Sequence, residues 1–254
     1  MSSDAQQEHS DRGITEAFFP EAKIDGFSRY DGTLLFYSKV KSLLKKDDIV
    51  LDFGAGRGAG ASHCRSNYIK SLQNFKGECA EIHGCDVDPV VKDNPYLDEA
   101  RIQEVGGALP YEKDFFDLIV SSWVFEHIED PRQVASELIR VLKPGGYICA
   151  RTPNKFGYIS FFSRLFRNKY HAYFLKFIQP ERNIEDEFHT YYRMNSKKDI
   201  EKIFGDTCDV VVFSYSADPS YHFNSKIIYW IFTVIHKLTP SVFGAAIFIF
   251  LRKR

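Results

Sequence analysis

The spacing of hydrophobic residues along this chain switches repeatedly between a strand period and a helix period. Continuous apolar runs of strand length alternate with segments in which apolar residues recur every three or four positions. This alternation is typical of a doubly wound, mostly parallel α/β sheet. Strands are expected at residues 49–53, 81–85, 114–122, 147–154, 208–215 and 243–251, and helices at 33–45, 60–75, 132–142, 196–204 and 226–237.

Two segments interrupt this rhythm. Residues 1–13 are polar, lack an apolar stretch and are expected to be a disordered lead-in without a secretory signal. Residues 155–195 mix aromatic and basic side chains densely. We therefore expect a single domain over residues 14–254, with a cofactor-binding core at 46–154, an aromatic and basic insertion at 155–195, and C-terminal helices and edge strands at 196–254.

The insertion allows three interpretations. Aromatic residues recur at near-helical spacing between residues 156 and 166, with arginines and lysines interleaved. An amphipathic lid or substrate cap with its aromatic rings packed inward is the preferred interpretation. A helix lying on a membrane interface is the second. Contact with nucleic acid, through base stacking and phosphate binding, is the third.

The C-terminal region is strongly apolar at residues 227–235 and 242–251. A membrane-spanning helix needs about 20 uninterrupted apolar residues, and His236, Lys237 and Pro240 divide this region in two. A buried helix followed by an edge strand is therefore expected. Peripheral membrane contact through this region or through residues 155–180 is the alternative, which the terminal Arg252-Lys253-Arg254 favours.

Composition narrows the class of protein further. The chain has 254 residues, a net charge of -1 and a pI of about 6.7, which give no overall attraction to nucleic acid. Its five cysteines are scattered, without zinc-ligand spacing, and no other metal-ligand cluster is visible. A reducing, cytoplasmic location without a metal is the expectation.

The most informative motif is the glycine-rich run from Gly54 to Gly60, directly after the first expected strand. Glycine accepts a positive φ and lets a ligand approach the backbone closely, so this turn predicts a site for a nucleotide-like cofactor. The run also fits a dinucleotide fingerprint. The next acid after a strand, Asp86, lies well beyond the roughly 20 residues expected for that fingerprint, which disfavours an NAD-linked oxidoreductase.

Further motifs follow in register. Leu109-Pro110 precedes the strand that begins at Asp114, His127 follows that strand, and Lys143-Pro144-Gly145-Gly146 ends the next helix. Together with Asp52-x-Gly54-x-Gly56, these motifs resemble the class I S-adenosylmethionine-dependent methyltransferases, in their small-molecule, type 11-like branch. The resemblance covers residues 46–154. It implies a Rossmann-like, seven-stranded sheet with the last strand antiparallel and S-adenosylmethionine as the cofactor.

The resemblance also implies the cofactor contacts. Asp52 is expected near the amino-acid end of the cofactor, and Asp86 is expected to hold the ribose hydroxyls. The other expected contacts are the backbone of Gly54, Ala55 and Gly56, Val87 beside the adenine, Ala108 and Leu109 at the adenine amine, and Ser121 and Ser122 beside the methionine. The chain departs from the family before Leu109-Pro110, where the usual acidic residue is missing and backbone groups of residues 107 and 108 are the expected substitute.

Three residues are candidates for catalysis on the acceptor. His127 follows the fourth strand and carries an imidazole, the side chain best suited to proton transfer near neutral pH, so it is the leading candidate for a general base, with a backbone-bonded helix-start histidine as the alternative. His189 and Tyr192 belong to the run His189-Thr190-Tyr191-Tyr192-Arg193, which closes the insertion and could line an acceptor pocket or only dock the insertion. Glu126 is expected to be a solvent-exposed or capping residue.

These features predict methyl transfer to an oxygen or nitrogen of a small molecule, with a sugar or lipid-linked intermediate as a candidate acceptor. A module that binds the cofactor without catalysing transfer is the alternative, because the adenine carboxylate is missing. An NAD-linked oxidoreductase is the third and least favoured reading.

Overall fold

A seven-stranded mixed sheet forms the centre of the molecule. The computed structural model describes residues 13–62, 64, 66–157, 160, 189–219 and 225–254. The strands follow the spatial order β3-β2-β1-β4-β5-β7-β6. They are β1 (Ile49–Phe53), β2 (Glu81–Asp86), β3 (Glu99–Ile102), β4 (Phe116–Ser122), β5 (Leu142–Pro153), β6 (Cys208–Tyr215) and β7 (Ala246–Lys253).

Pairing within the sheet confirms the expected fold. β1 pairs in parallel with β2 and β4, and the parallel pairing continues to β3 on one side and β5 on the other. β7 is antiparallel to both of its neighbours. One detail of the expectation was wrong: the last strand is not at the edge, because β7 inserts between β5 and β6 and leaves β6 outermost.

Helices cover both faces of the sheet. After helical residues 13–18 and a short helix at Ala22–Asp25, they are α1 (Gly32–Lys41), α2 (Ala59–Ser62), α3 (Asn67–Gln73), α4 (Pro131–Val141), α5 (Lys197–Phe204) and α6 (Lys226–Leu238). In β4, Leu118 packs with Phe36 of α1, whereas Ile119 faces the opposite cluster with Leu138 of α4. This period-two alternation buries both faces of the parallel strands, which explains why their sequences are almost continuously apolar.

The expected helix at residues 60–75 is two short helices, α2 and α3. Ser66 begins the second one, because its Oγ accepts a hydrogen bond from the amide of Ile69 (3.0 Å). The Ser66 hydroxyl also donates to Asp25 (2.6 Å), which ties this cap to the N-terminal region. The expected helix at residues 33–45 ends earlier, at Lys41.

Strand β5 begins five residues earlier than the sequence predicts. Leu142 pairs with Phe116 and Tyr147 pairs with Leu118, so the residues between them form a bulge inside the strand. Gly146 is required there because an added Cβ would lie 2.7 Å from the carbonyl oxygen of Asp117. Strand β3 was not located from sequence, since its residues Glu-Ala-Arg-Ile are mostly polar and partly exposed at a sheet edge.

Most of the aromatic and basic insertion lies outside the described residues, as does the expected lead-in at residues 1–12. The lid at 155–195 and the domain limits therefore stay predictions. In the part of the chain that the structure describes, no helix is long and apolar enough to cross a membrane.

The C-terminal strand is anchored by Lys253. Its Nζ donates to the Asp114 carboxylate (2.7 Å) and to the backbone carbonyls of Ile139 (2.8 Å) and Leu142 (2.5 Å). The ammonium holds the pKa of Asp114 below its usual range, mainly through the hydrogen bond. One side chain therefore joins β7 to the end of α4 and to the loop before β4.

We expect Lys253→Met to lower the free energy of unfolding by about 1–3 kcal/mol, because two carbonyls and a carboxylate lose a charged donor. Urea denaturation followed by circular dichroism measures this difference. Lys198→Met, at an exposed position of α5, is the control and should change stability by less than about 0.5 kcal/mol. Equal stability of the two variants would contradict the anchoring role.

Candidate functional site

A large cavity opens at the carboxyl ends of β1, β2 and β4. It has a volume of about 1500 Å³. Ligand pockets in proteins commonly have volumes of roughly 300–1000 Å³, so this cavity has room for two molecules side by side. Its location agrees with the rule that open α/β sheets bind ligands beyond the carboxyl ends of their strands, where the strand order reverses.

The glycine turn after β1 forms one wall of this cavity. Gly54 has a φ of +78° and Gly56 a φ of +48°. A Cβ on Gly54 would lie 2.2 Å from Cγ2 of Val124, so only glycine fits at that position. At Gly56 an added Cβ would meet nothing closer than Asp86 Oδ2 at 4.0 Å, because the backbone faces the open cavity. Ala55, between them, also lines the wall.

Asp86 at the end of β2 is joined to this turn. Its Oδ2 accepts the amide hydrogen of Gly56 (2.8 Å) and its Oδ1 accepts that of Asp88 (2.9 Å). Each carboxylate oxygen has a second acceptor site, so the group is oriented and can still accept hydrogen bonds from two hydroxyls. Val87 lies beside it in the cavity wall, while Asp88 caps the following 3₁₀ turn through the amide of Val90 (2.9 Å).

Asn94 is a functional residue that sequence reasoning missed. Its buried Nδ2 donates to the carbonyls of Ala55 (3.1 Å) and Gly56 (3.2 Å), and these two hydrogen bonds stabilise the glycine turn. Nothing in the local sequence distinguishes this asparagine from an ordinary turn residue. Only the fold brings it within hydrogen-bond distance of a loop some 40 positions earlier.

Asp52 lies half-buried at the bottom of the cavity. Burial, and then the nearby negative charge of Asp86, raise the pKa of its carboxyl group to about 7. A carboxyl group in this state accepts a cationic ligand readily, because the ligand's positive charge favours ionisation. An amino group of a cofactor is the matching partner.

Arg151 supplies the opposite charge nearby and was also missed, since its position reads as an ordinary strand residue. Its Nε donates to Ser122 Oγ (2.8 Å) and its Nη1 donates to Thr33 Oγ1 (2.8 Å). The guanidinium carbon lies 5.2 Å from the ring centroid of Tyr37 and 5.3 Å from that of Trp123. Burial lowers the pKa of Arg151. A carboxylate in the cavity would therefore find a fixed, desolvated cation.

Three expected cofactor contacts lie elsewhere. Ser122 lines the cavity, but Ser121 is buried and its hydroxyl donates to the carbonyl of Phe53 (3.0 Å). Leu109 is buried in the core, and its amide donates to Glu137 (2.8 Å). Ala108 is exposed and is not among the residues that line the cavity. The helix α4 holds this segment away from the cavity.

The side of the cavity that we expect to face the adenine is lined instead by residues before that segment. Gln103, Val105 and Gly106 line it. The buried Gln103 side chain donates to the carbonyl of Gly107 (3.3 Å). Val105 is largely exposed, so this side of the cavity offers an apolar surface and backbone groups in place of a carboxylate.

His127 lies at the opposite side of the cavity, in the 3₁₀ turn Phe125–His127 after β4. Its Nδ1 lies 3.0 Å from the carbonyl oxygen of His189, which can only accept, so Nδ1 carries the hydrogen. Nε2 is then the basic nitrogen of the neutral ring. The bond to a backbone carbonyl agrees with the alternative interpretation of this histidine, and its role as a general base stays a prediction.

The segment that closes the insertion docks onto this turn. The amides of Tyr191 (2.7 Å) and Tyr192 (3.2 Å) both donate to the carbonyl of Glu126. His189 and Tyr191 line the cavity with their rings 4.6 Å apart. Tyr192, which has a φ of +54°, is not among the lining residues. Tyr191 thus occupies the position that we expected for Tyr192.

Glu126 corrects another expectation. It is buried, and its Oε2 accepts a hydrogen bond from the Thr152 hydroxyl (2.8 Å), so it is neither solvent-exposed nor a simple cap. Asn195 continues the network by donating to Thr152 Oγ1 (2.7 Å). These bonds join the His127 turn to the end of β5 and to the start of α5.

Comparison with known proteins supports a single family. A family model described as a methyltransferase domain matches residues 51–150. An uncharacterized methyltransferase of Mycobacterium leprae is 31% identical over 100 residues, which are 39% of this chain and 35% of that protein. The match therefore spans about a third of that relative. A demethylmenaquinone methyltransferase of Oceanobacillus iheyensis is 28% identical over 169 residues, 61% of this chain and 67% of that protein.

Solved structures share the fold. A methyltransferase from Methanosarcina mazei described as SAM-dependent superposes with a TM-score of 0.52 at 16% identity, covering 85% of this chain and 96% of that one. One from Archaeoglobus fulgidus, described in the same way, has a TM-score of 0.51 at 20% identity, covering 87% and 95%.

The raised pKa of Asp52 predicts a pH-dependent cost to stability. The folded state favours the protonated form of Asp52, so protonation of this carboxyl group stabilises the fold. This stabilisation is fully present below the unfolded pKa of about 4 and is lost as the pH rises to about 7. Asp52→Asn should therefore become more stable than the wild type over that range, by on the order of 2 kcal/mol at pH 8 after allowance for solvent contact.

Thermal unfolding of both proteins between pH 4 and pH 8 measures this difference. The exposed Asp93→Asn controls for the loss of one surface charge and should follow the wild type. Parallel stability curves for Asp52→Asn and the wild type would show that Asp52 is ionised without penalty in the folded protein.

Proposed function

We propose that the chain is a class I S-adenosylmethionine-dependent methyltransferase, since a methyltransferase-domain family model matches residues 51–150, and that it transfers a methyl group from that cofactor to an oxygen or nitrogen of a small polar molecule. A sugar or a lipid-linked intermediate is the acceptor class that we propose. The observation that carries the proposal is the cavity itself, which has cofactor-type groups at one side and an oriented histidine at the other.

The residues of the cavity fit the cofactor. The open backbone at Gly56 leaves space for close approach, and Asp86 is fixed to accept the two ribose hydroxyls. Asp52 matches the amino group of the methionine part, and Arg151 matches its carboxylate, so that the zwitterion meets two opposite charges. When bound, S-adenosylmethionine supplies an electrophilic methyl group.

The chain's own residues then act on the acceptor. An acceptor hydroxyl or amine loses its proton during transfer, and His127 Nε2 is the group that we propose to receive it. The His189 carbonyl keeps the ring in the required tautomer through Nδ1. His189 is therefore a positioning residue through its backbone, rather than a second base.

The outer wall supports a polar acceptor. Glu129, Asp130, Arg132, Arg193 and Lys202 all line this half of the cavity. The Tyr191 hydroxyl donates to Glu129 (3.2 Å), and Arg193 donates to the backbone carbonyl of the same residue, so the wall is held in place. Side chains of both signs suit an acceptor with several hydroxyl groups.

A cofactor-binding module without catalysis is the second candidate, because an exposed valine at position 105 and backbone groups replace the usual adenine carboxylate. Binding of S-adenosylmethionine without transfer of its methyl group into any fraction of a cell extract would favour this second candidate. An NAD-linked oxidoreductase would instead require NAD binding.

Calorimetry with S-adenosylmethionine, S-adenosylhomocysteine and NAD tests the cofactor assignment. Both sulfur compounds should bind and NAD should not. Asp86→Ala should weaken binding at least about tenfold, since it removes the ribose acceptor and releases the Gly56 amide. Asp93→Ala, an exposed acid just after the same strand, is the matched control and should bind normally. Unchanged affinity in Asp86→Ala would remove the ribose assignment.

Transfer of tritium from S-[methyl-³H]adenosylmethionine into lipid-soluble and water-soluble fractions of a cell extract tests the reaction. His127→Asn should lower incorporation about 10²–10⁴-fold while calorimetry shows normal cofactor binding. His189→Ala is the control, because its backbone carbonyl is retained, and should lose much less. Full activity in His127→Asn would reject this histidine as the base.

A further inference from the structure

Helix α6 presents an apolar stripe to solvent. Its buried face centres on Tyr229, whose ring centroid lies 4.9 Å from that of Phe18 in the N-terminal helical residues 13–18. The opposite face is exposed and apolar at helical spacing. Its members and their exposed fractions are Ile227 (72%), Trp230 (56%), Ile231 (43%), Ile235 (41%) and Leu238 (79%). A soluble helix normally places charged or polar groups on such a face.

The stripe continues around one corner of the molecule. Val242 and Phe243, in the 3₁₀ turn after α6, are about half exposed. Asn154 ties this turn to the end of β5, since its Nδ2 donates to the carbonyls of Val242 and Gly244 (both 2.8 Å). Exposed Phe156 follows two residues later. We call the stripe on α6, together with Phe156, Val242 and Phe243, the apolar corner.

The charged side chains of α6 itself are all basic. The sequence contains no Asp or Glu after Asp218, and Lys226 and Lys237 lie at the two ends of the stripe. Residues 155–180, which begin next to Phe156, contain no acid either. Residues 155–180 and 219–254 together contain ten Lys and Arg and no acid, whereas the rest of the chain contains 23 Lys and Arg against 34 Asp and Glu, so this bias is local. Interfaces between proteins usually contain charges of both signs, whereas an anionic lipid surface attracts basic side chains alone.

We propose that the apolar corner docks onto the surface of an anionic lipid bilayer, with the α6 stripe inserted among the acyl chains and its lysines at the headgroups. An amphipathic helix with a tryptophan and flanking lysines is suited to that position. The length of α6 agrees with a helix that lies on the membrane rather than one that crosses it.

The orientation of the fold gives this docking a consequence for the reaction. Pro153 at the end of β5 pairs with Ala246 at the start of β7, so the apolar corner is at the same edge of the sheet as the cavity. A bilayer on that corner would bring lipid headgroups to the edge of the sheet at which the cavity opens. This deepens the proposed function, on which it rests, by assigning the acceptor to the lipid-linked class.

Flotation with vesicles tests the docking without cofactor or acceptor. The full chain should float with vesicles of phosphatidylglycerol and phosphatidylcholine, should float poorly with phosphatidylcholine alone, and should dissociate as NaCl rises. Ile227→Ser/Leu238→Ser should lower partitioning about tenfold or more. Ile24→Ser/Val211→Ser removes two residues that are 86% and 59% exposed elsewhere and should float like the wild type.

A spectroscopic readout locates the contact. The chain has two tryptophans, so Trp123→Phe leaves Trp230 as the reporter. Its emission should shift to the blue on addition of anionic vesicles only. No flotation with anionic vesicles, or equal losses in the two double variants, would overturn the proposal. A dimer in gel filtration that Ile227→Ser/Leu238→Ser dissociates would assign the corner to a second copy and also overturn it.

The two proposals fail separately. Normal binding of S-adenosylmethionine in calorimetry together with absent flotation removes the membrane proposal alone. Flotation without cofactor binding removes the proposed function alone, because the vesicle experiment contains neither cofactor nor acceptor.

Discussion

The site depends on one hydrogen bond, from the amide of Gly56 to the carboxylate of Asp86 (2.8 Å). It joins the turn after β1 to the end of β2, and so couples the backbone of the cavity wall to the acid that we propose to anchor the ribose of the cofactor. Asn94 supports the same turn from the other side through the carbonyls of Ala55 and Gly56. A mobile turn would lose both its shape and its preorganised acceptor, and a bound ligand would have to order them.

A second constraint is electrostatic. Asp52 and Asp86 place two acids at one end of the cavity, and their proximity is part of the reason that the pKa of Asp52 rises to about 7. Buried Arg151 lies close by with hydrogen bonds to Ser122 and Thr33. Two neighbouring acids in the cavity are therefore an unfavourable charge arrangement, which the zwitterionic methionine part of the proposed cofactor would relieve. Stability and ligand affinity are opposed at Asp52.

The sequence predicted the sheet well because parallel strands buried on both faces are marked by continuous apolar runs; β1 and β6 match their expected bounds residue for residue. It missed β3, a short polar edge strand, and it merged α2 with α3 because one serine cap outweighs the helical spacing. Asp52, Asp86 and the glycines were found through motifs. Asn94 and Arg151 were not, since their roles arise from contacts across long sequence separations.

A crystal structure with S-adenosylhomocysteine tests the central claim most directly. The account predicts the ligand beside the glycine turn, its two ribose oxygens within hydrogen-bond distance of the Asp86 carboxylate and its amino group near Asp52. Density for the ligand at another place, or a glycine turn that stays unoccupied at saturating ligand, would contradict it.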